Sequence, residues 1–161
     1  MDTHHLLIFE TDNQFYGLPL HTIREVVHTA ELVCPPDRPQ FLQGFLNMSG
    51  QLIAVVDLRI LWNLPTQEQT LYTPLVVLAG QHCAFKVDRI DNVVTISQDV
   101  YQTLHKNQTL NNCVEATCRI SNNTVYVLNV DQILLVEEQT RLTDLQQKME
   151  KRLRQLEAQS S

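Results

Sequence analysis

The sequence predicts a mainly β protein built from two small barrels of about five strands each, followed by one C-terminal helix. Three observations support this fold class: short apolar runs separated by turn-forming residues, an internal repeat of those runs, and a C-terminal segment, residues 137–159, without glycine, proline, valine or isoleucine. Two barrels within about 135 residues are too small to enclose a ligand, because five-stranded barrels are filled by their own side chains.

The first half of the chain alternates short strands with turns. Apolar residues 6–9 and 15–20 flank the turn formers of residues 11–14, which is the pattern of a β-hairpin. Three prolines in segment 34–39 predict a stiff surface loop, because proline removes backbone donors and fixes φ. Residues 58–64 favour a short helix that ends at Pro65. The other strand candidates are residues 23–28, 51–57, 75–79, 83–87, 93–96, 114–120 and 124–130.

An internal repeat relates the two halves. Residues 15–27 align without gaps on residues 82–94, and residues 53–58 align on residues 125–130. The two offsets, 67 and 72 residues, are similar enough to predict one duplicated unit of short strands.

The C-terminal segment has the periodicity of an amphipathic helix of about six turns. One face carries Leu135, Leu142, Leu145, Met149, Leu153 and Leu156. Acid-first pairs four residues apart, which favour a solvated helix, are Glu137/Arg141, Asp144/Lys148 and Glu150/Arg154. Two interpretations stay open: the first half of the helix packs on the barrels while its end frays, or the helix binds a partner as a coiled coil does.

Charge and targeting signals restrict the function classes. The chain has a formal net charge of −6, and the segment from Glu137 onward contains five acids and five bases, so the whole charge lies on residues 1–136. No basic stripe is available to bind nucleic acid. The N-terminus lacks a signal peptide, and the longest later apolar run, residues 75–79, is too short to span a bilayer. We therefore expect a soluble cytoplasmic protein without direct membrane insertion.

The residue patterns predict neither an enzyme nor a metal or cofactor site. The four cysteines, Cys34, Cys83, Cys113 and Cys118, lack metal-ligand spacing and are predicted to be buried apolar side chains. No nucleophile motif or phosphate loop is present. Asp57 and Arg59 follow an apolar strand, and the favoured interpretation is that Asp57 caps the turn after that strand and pairs with Arg59 or a backbone N–H.

Several motifs, in an order and spacing that fit without a gap through Arg59, resemble the CheW family of bacterial chemotaxis coupling proteins across residues 5–136. The motifs are Leu7-Ile8-Phe9 with Tyr16-Gly17, Ile23-x-Glu25-Val26, Pro39-x-Phe41-Leu42-x-Gly44, Asn47-x-x-Gly50, Val55-Val56-Asp57-Leu58-Arg59 and Val87-Asp88-x-Ile90-x-x-Val93. The resemblance implies two SH3-like five-stranded barrels within residues 1–136. The first would comprise about residues 15–80, the second about residues 5–14 with 81–136, and residues 137–161 would form the helix.

The resemblance also implies a non-enzymatic adaptor. Proteins of this family bind the helical-hairpin tip of a chemoreceptor and the regulatory domain of a CheA-type histidine kinase, and they couple the two. Carried over by position, the receptor-binding residues would be Ile23, Glu25, Gly44, Asn47, Ser49, Ala84, Val87, Ile90 and Val93. Gly50, Asp57 and Arg59 would be structural, holding the turn at residues 47–50. The kinase contact would use loops at the barrel ends.

The chain departs from the family at positions that bear on receptor class. Met48-Ser49 stand where the family usually has Leu-Arg, which removes a cation with five donors. Ala54 replaces a proline, Ala84 a glycine, and Asn129 a common acid. A paralogue serving pilus motility or phototaxis fits these departures, and so does one that binds the kinase but not receptors. Two alternatives to the adaptor also stay open: a detached kinase regulatory domain, and a structural protein that self-assembles through the C-terminal helix.

Overall fold

The computed structural model describes residues 2–28, 31–65, 73–104 and 113–159. Within these ranges the chain forms twelve strands and two α-helices. The elements are β1 Thr3–Thr11, β2 Gln14–Pro19, β3 Ile23–His28, β4 Leu32–Val33, β5 Leu42–Met48, β6 Gln51–Asp57, α1 Leu58–Leu61, β7 Pro74–Leu78, β8 Cys83–Lys86, β9 Arg89–Ser97, β10 Tyr101–Thr103, β11 Val114–Ile120, β12 Asn123–Leu128 and α2 Val136–Gln159.

The strands form two curled sheets of six strands each. The first barrel has the order β3-β7-β8-β6-β5-β4, and the second barrel has the order β10-β11-β12-β2-β1-β9. This confirms the predicted fold class of two small β-subdomains with a C-terminal helix. Each sheet has six strands rather than five because a short strand of two or three residues, β4 or β10, is added at one edge.

The boundary between the barrels differs from the predicted one at two strands. The strand β2 was expected in the first barrel, but it pairs with β1 and β12 of the second. The strand β8 was expected in the second barrel, but it pairs with β6 and β7 of the first. The physical reason is that each antiparallel hairpin, β1–β2 and β7–β8, stays together in one sheet. The chain therefore crosses between barrels after each hairpin, at residues 20–22 and 87–88.

Two-residue turns close three of the hairpins. Asp12 and Asn13, between β1 and β2, have φ of 54° and 62°. This left-handed conformation suits the right-handed twist of a hairpin, and Asn and Asp adopt it more readily than most residues. The hairpin predicted around residues 11–14 is thus confirmed. Ser121 and Asn122 make the same kind of turn between β11 and β12, with φ of 50° and 66°.

The strand registers support the predicted duplication. In the first barrel, parallel strands β6 and β8 pair Val55 with Ala84. In the second barrel, parallel strands β12 and β2 pair Val127 with Gly17. The offset of 72 residues converts Val55 into Val127, and the offset of 67 converts Gly17 into Ala84. The two sequence offsets therefore convert the register of one parallel strand pair into the register of the other. Unrelated strand pairs would show the same register only by chance.

The irregularities of the two sheets also coincide. A register shift between Ile23 and Glu25 in β3 corresponds to a shift at the equivalent point of the pairing between β1 and β9. A second shift, between Leu42 and Gly44, corresponds to one between Val114 and Ala116 at the offset of 72. Because a β-bulge is a specific local feature, its repetition supports duplication more strongly than a shared strand pattern does.

Three apolar clusters hold the structure together. Each barrel has a small interior cluster, and the two clusters use equivalent positions, such as Leu6 and Leu75 or Val127 and Val55. A larger cluster, here called the shared core, contains side chains from both barrels, including Phe9, Phe45 and Phe85 at 0–1% exposure. The two barrels are therefore parts of one folding unit.

The C-terminal helix α2 docks on the first barrel through its middle. Leu142 is buried, and Leu145, Met149 and Leu153 pack partly buried against the shared core. The helix contacts β6. Leu135, at one end of the predicted apolar face, is 66% exposed. Packing thus extends from Leu142, in the first half of the helix, to Leu153, and Leu156 near the end of the helix is 61% exposed.

One detailed prediction for a side chain is wrong, and the acid-first spacing of α2 is not accompanied by ion pairs. In the part of the chain that the structure describes, the three acid-first pairs form none. Cys34 is exposed, because it lies in the loop after β4, whereas the other three cysteines are buried as predicted. Burial raises the pKa of the Cys83 thiol to about 12, so that thiol is protonated at neutral pH.

Neither α-helix in the described ranges has the length and apolar character that a bilayer span requires.

Candidate protein-binding surface

The turn at residues 47–50 has the geometry of a tight hairpin between β5 and β6. Met48 pairs with Gln51, and the two residues between them, Ser49 and Gly50, have φ of 56° and 89°. The Asn47 Oδ1 accepts a hydrogen bond from the Gly50 N–H at 2.8 Å. The side chains of Asn47 and Ser49 are exposed. The turn therefore presents two polar side chains on a rigid backbone.

The strands β3 and β9 contribute four of the other predicted receptor-binding residues. These strands are edge strands in their sheets and occupy equivalent positions in the repeat. Ile23 and Ile90 are partly buried against the shared core, and each pairs with a core residue of the neighbouring strand. Glu25 is exposed, and Val93 is 52% exposed, which is unusual for a valine in a strand. An exposed valine on an edge strand is a candidate contact for an apolar partner surface.

Three predicted receptor-binding residues are buried and cannot present side chains to a partner in this structure. Ala84 is 0% exposed and belongs to the interior cluster of the first barrel. Val87 is 1% exposed and lies in the shared core. Gly44 is buried as well, and a Cβ there would lie 2.9 Å from the Val33 carbonyl oxygen and from the Cys34 Sγ. We assign these three residues to the support of the surface rather than to its contacts.

Asp57 and Arg59 lie at the opposite end of β6 from the turn at residues 47–50. The Asp57 Oδ1 caps α1 by accepting the Arg59 backbone N–H at 2.9 Å, and its Oδ2 lies 3.4 Å from the Lys86 Nζ. The predicted cap is therefore present. The predicted contact with the glycine turn is replaced by contacts at the barrel junction, because β6 runs away from the turn for seven residues.

The Arg59 guanidinium links the two barrels. Its Nε and Nη2 donate to the two carboxylate oxygens of Asp88 at 2.8 Å and 2.6 Å, and its Nη1 donates to the Pro65 carbonyl at 2.5 Å. The Asp12 carboxylate, in the β1–β2 turn, lies 3.4 Å from the same Nη1. Since Arg59 follows β6 of the first barrel and Asp12 belongs to the second, this network ties the barrels together.

The network shifts the protonation equilibria of its members. Burial acts to raise the pKa of Asp88, but hydrogen bonds from Arg59 and from the Asp12 backbone N–H, with the charges of Arg59 and Lys86, outweigh it. The pKa of Asp88 therefore lies below its ordinary value. The pKa of Arg59 is raised, chiefly by its hydrogen bonds to Asp88. Both groups are charged at neutral pH, as a bidentate pair requires.

The repeat-related junction uses weaker contacts. Asn129 is equivalent to Asp57, and its Oδ1 makes the same cap by accepting the Asp131 N–H at 3.0 Å. Asp131, equivalent to Arg59, accepts a hydrogen bond from the Gln81 Nε2 at 2.9 Å. Replacing the common acid by Asn129 therefore preserves the cap. The junction at Arg59 is closed by its largely buried ion pair with Asp88, and the junction at Asp131 is closed by an exposed hydrogen bond from Gln81.

Sequence reasoning did not find the partners of Arg59. Asp88 belongs to the motif Val87-Asp88-x-Ile90, but it lies 29 residues from Arg59 in the sequence, and Asp12 lies 47 residues from Arg59. The parallel pairing of β6 with β8 is what brings Asp88 to Arg59, since Asp57 pairs with Lys86. An Arg two residues beyond a mostly apolar strand, residues 51–57, was the available signal that a further acidic partner existed.

The described residues offer no arrangement suited to a metal ion, since no group of three or more His, Cys, Asp or Glu side chains converges among them. His4 stacks on Tyr101 with ring centroids 3.7 Å apart, and its Nε2 lies 2.7 Å from the Gln98 Oε1. His5 shares a hydrogen bond with Thr95. Both histidines thus have structural contacts on the barrel surface.

Comparisons with known proteins agree with the architecture. A "Chemotaxis protein CheW" of Helicobacter pylori is 26% identical over 132 residues, covering 78% of this chain and 78% of that protein. A protein of the same description from Thermotoga maritima is 22% identical over 130 residues, covering 80% and 86%. The crystal structure of the scaffolding protein TtCheW from Thermoanaerobacter tengcongensis superposes with a TM-score of 0.74 at 19% identity, covering 86% of this chain and 92% of that one.

The family profile described as "CheW-like domain" matches residues 5–138. This range contains β1 from His5 onward and the other eleven strands entirely, and it ends in the first turn of α2. The protein belongs to the family of CheW-like domains.

Proposed function

We propose that this protein is a non-enzymatic adaptor that couples a chemoreceptor to a CheA-type histidine kinase in chemotaxis-like signal transduction. The carrying observation is that the CheW-like domain spans residues 5–138 and that the remaining described segment, α2, packs on that domain. The adaptor works in the cytoplasm, at receptor clusters. A pilus-motility or phototaxis array is the variant that the Met48-Ser49 departure favours.

The proposed receptor contact uses the exposed members of the predicted set. Val93 and the exposed parts of the Ile23 and Ile90 side chains supply apolar surface for an amphipathic helix of the receptor hairpin. The contact residues are Ile23, Glu25, Asn47, Ser49, Ile90 and Val93. The kinase regulatory domain binds loops at the barrel ends. Coupling means that the binding free energy of one partner depends on the state of the other.

The two alternatives receive less support. Self-assembly through the helix needs a free apolar face, but Leu142, Leu145 and Met149 already pack on the shared core. A detached kinase regulatory domain would share this fold. It would differ from the adaptor in how it binds a receptor hairpin and a kinase. The binding experiments below separate that case from the adaptor.

Replacing Val93 with glutamate is expected to weaken binding of a receptor helical hairpin about tenfold or more, because it places a charge in an apolar contact. The measurement is isothermal titration calorimetry with the purified hairpin. Since Val93 is 52% exposed, the fold should be retained. Ile90→Glu addresses the same surface, but Ile90 packs against the shared core, so its thermal melting must be measured too.

The matched control is Val100→Glu, which changes another valine of comparable exposure, 43%, beyond the end of β9. It should bind the hairpin like the wild type. Unchanged binding by a folded Val93→Glu protein would refute the proposed surface. Loss of binding by both variants would mean that net charge, rather than a local contact, controls the interaction.

Replacing Ser49 with arginine is expected to strengthen receptor binding several-fold, because it restores the cation that the family usually carries at this turn. Ser49 is exposed and has φ of 56°, so the longer side chain meets no core residue. Titration of the hairpin against both proteins at low and high salt provides the measurement. No gain at low salt would show that a cation at this position is immaterial.

A further inference from the structure

The start of β6 extends beyond its neighbour in the sheet. Strand β8 begins at Cys83, and its pairing with β6 begins at Ala54. The Ala54 N–H donates to the His82 carbonyl at 2.9 Å. On the β8 side, the N–H and C=O of Leu52 therefore lie past the last strand partner, although Leu52 itself is 0% exposed. Buried backbone groups of this kind need other partners.

The helix α2 supplies both partners. The Gln146 Nε2 donates to the Leu52 carbonyl at 2.7 Å, and the Glu150 Oε1 accepts the Leu52 N–H at 3.1 Å. These two helix residues are four apart, so they lie on one side of the helix in consecutive turns. Together they replace the hydrogen bonds that a longer β8 would have made.

The apolar contacts of α2 have the spacing of a helix lying in a groove. Leu142, Leu145, Met149 and Leu153 follow one another at intervals of three, four and four residues and pack on the shared core. Recognition of amphipathic helices commonly uses this spacing of anchors. The first barrel thus has an apolar surface with one donor and one acceptor at its edge, shaped for a helix.

The attachment of α2 is limited. Leu142 is its one fully buried residue, and none of the ion pairs among the described residues joins residues 136–155 of the helix to either barrel. Val136, at its first turn, is 82% exposed. Release of α2 would expose a few apolar side chains and the two polar groups of Leu52, while the strands of both sheets would keep their pairing.

We propose that the surface of the first barrel beneath α2 is a helix-binding site for an amphipathic helix of a partner protein, which α2 occupies within the same chain. The partner helix would carry apolar residues at the spacing of α2, with an amide side chain followed four residues later by a carboxylate. Resting on the proposed function, we assign this helix to the receptor hairpin. Leu52 pairs with Asn47, so the site adjoins the turn of the proposed receptor surface.

Residues 129–135 join α2 to β12 of the second barrel, and this covalent link makes α2 a strong competitor for the surface of the first barrel. A segment joined by a short connection acts at an effective concentration of about millimolar. A partner helix must therefore gain from contacts beyond this site, such as the turn at residues 47–50. Weakening the hold of α2 should raise the affinity of any helix that uses the same surface, because less free energy is needed to displace it.

The test uses the full chain with the double substitution Gln146→Ala and Glu150→Ala. Its matched control is Gln147→Ala with Lys151→Ala, an exposed pair at the same spacing on the same helix. Hydrogen exchange should accelerate at the Leu52 amide in the first variant only. A labelled peptide of residues 136–159 should bind the first variant about tenfold more tightly than the control, given the loss of one neutral and one charge-assisted hydrogen bond.

The receptor hairpin should also bind the first variant more tightly than the control. Faster exchange at Leu52 without a gain in peptide binding would overturn the helix-binding site, and so would unchanged exchange. A gain for the peptide but none for the hairpin would overturn the assignment of the receptor as occupant. Failure of the hairpin to bind any of the proteins, while the peptide binds as expected, would contradict the proposed function and leave the helix site standing.

Discussion

Replacing Arg59 with alanine is expected to lower the free energy of unfolding by about 3 kcal/mol, one of the two largest effects expected on stability. The Arg59 side chain is 8% exposed and holds Asp88, which is 21% exposed, in a bidentate pair. Removing the guanidinium leaves a largely buried carboxylate without its main partner and frees the Asp12 turn. Urea unfolding of both proteins at pH 7 gives the difference directly.

The control is Arg24→Ala. Arg24 pairs with Glu25 on the surface, at 51% and 45% side-chain exposure, and exposed pairs contribute about 0–1 kcal/mol. The double variant Arg59→Met with Asp88→Leu should recover much of the loss, because it removes both charges together. If Arg59→Ala destabilised the protein no more than Arg24→Ala, the network would not be what holds the barrels together.

The ion pair between Arg59 and Asp88 also predicts how the free energy of unfolding changes at acidic pH. The pKa of Asp88 in the folded protein lies below its ordinary value of about 3.9. A carboxylate of this kind stabilises the folded state above the unfolded pKa, and that contribution is lost as the pH falls through the folded pKa. The difference in stability between the wild type and Arg59→Ala should therefore narrow below about pH 4. A constant difference down to pH 2 would contradict the assignment.

Replacing Gly44 with alanine is expected to cost about 2 kcal/mol by overpacking. An added Cβ would lie 2.9 Å from the Val33 carbonyl oxygen and 3.0 Å from the Leu32 Cβ. Both atoms belong to the neighbouring strand β4, whose backbone cannot move without breaking its pairing with β5. Thermal unfolding is the measurement, and binding of a receptor hairpin at a temperature where the variant is folded should be unchanged.

Gly17→Ala is the matched control, because a Cβ there meets only side-chain atoms at 3.4–3.5 Å. Its equivalent in the repeat is Ala84, so a methyl group is already accommodated at that position in the other barrel. We expect a change below about 1 kcal/mol. Equal losses for Gly17→Ala and Gly44→Ala would show that contact with β4 is not what makes Gly44→Ala costly, since the entropy effect of Gly→Ala favours the folded state.

Local patterns predicted the elements well, and long-range pairing was harder to predict. The turn at Asp12 and Asn13, the strand at residues 51–57 and the helix α2 all follow from composition over a few residues. The assignment of β2 and β8 to barrels depends on which hairpin each strand joins, and strand patterns carry little information about partners.

In the candidate site, too, local sequence patterns predicted some features, while features that depend on tertiary structure were missed. Exposure at Ser49 and Val93 agrees with their assignment as contact residues, but Ala84 and Val87 are apolar in the same way and are buried. Position within a motif cannot separate a residue that touches a partner from one that supports it. Likewise, Glu150 was paired with Arg154 by spacing, whereas tertiary structure gives its carboxylate to the Leu52 N–H.

The position of β1 and β2 in the second barrel has a consequence for synthesis on the ribosome. This hairpin is synthesised before its sheet partners, β9 and β12, which follow about 70 and 105 residues later. The strands of the first barrel are all synthesised by Lys86, when the early hairpin still has two unpaired edges. Such edges promote exchange between chains. Two molecules made side by side could therefore trade their N-terminal hairpins, and expression at high level should yield some intertwined dimers.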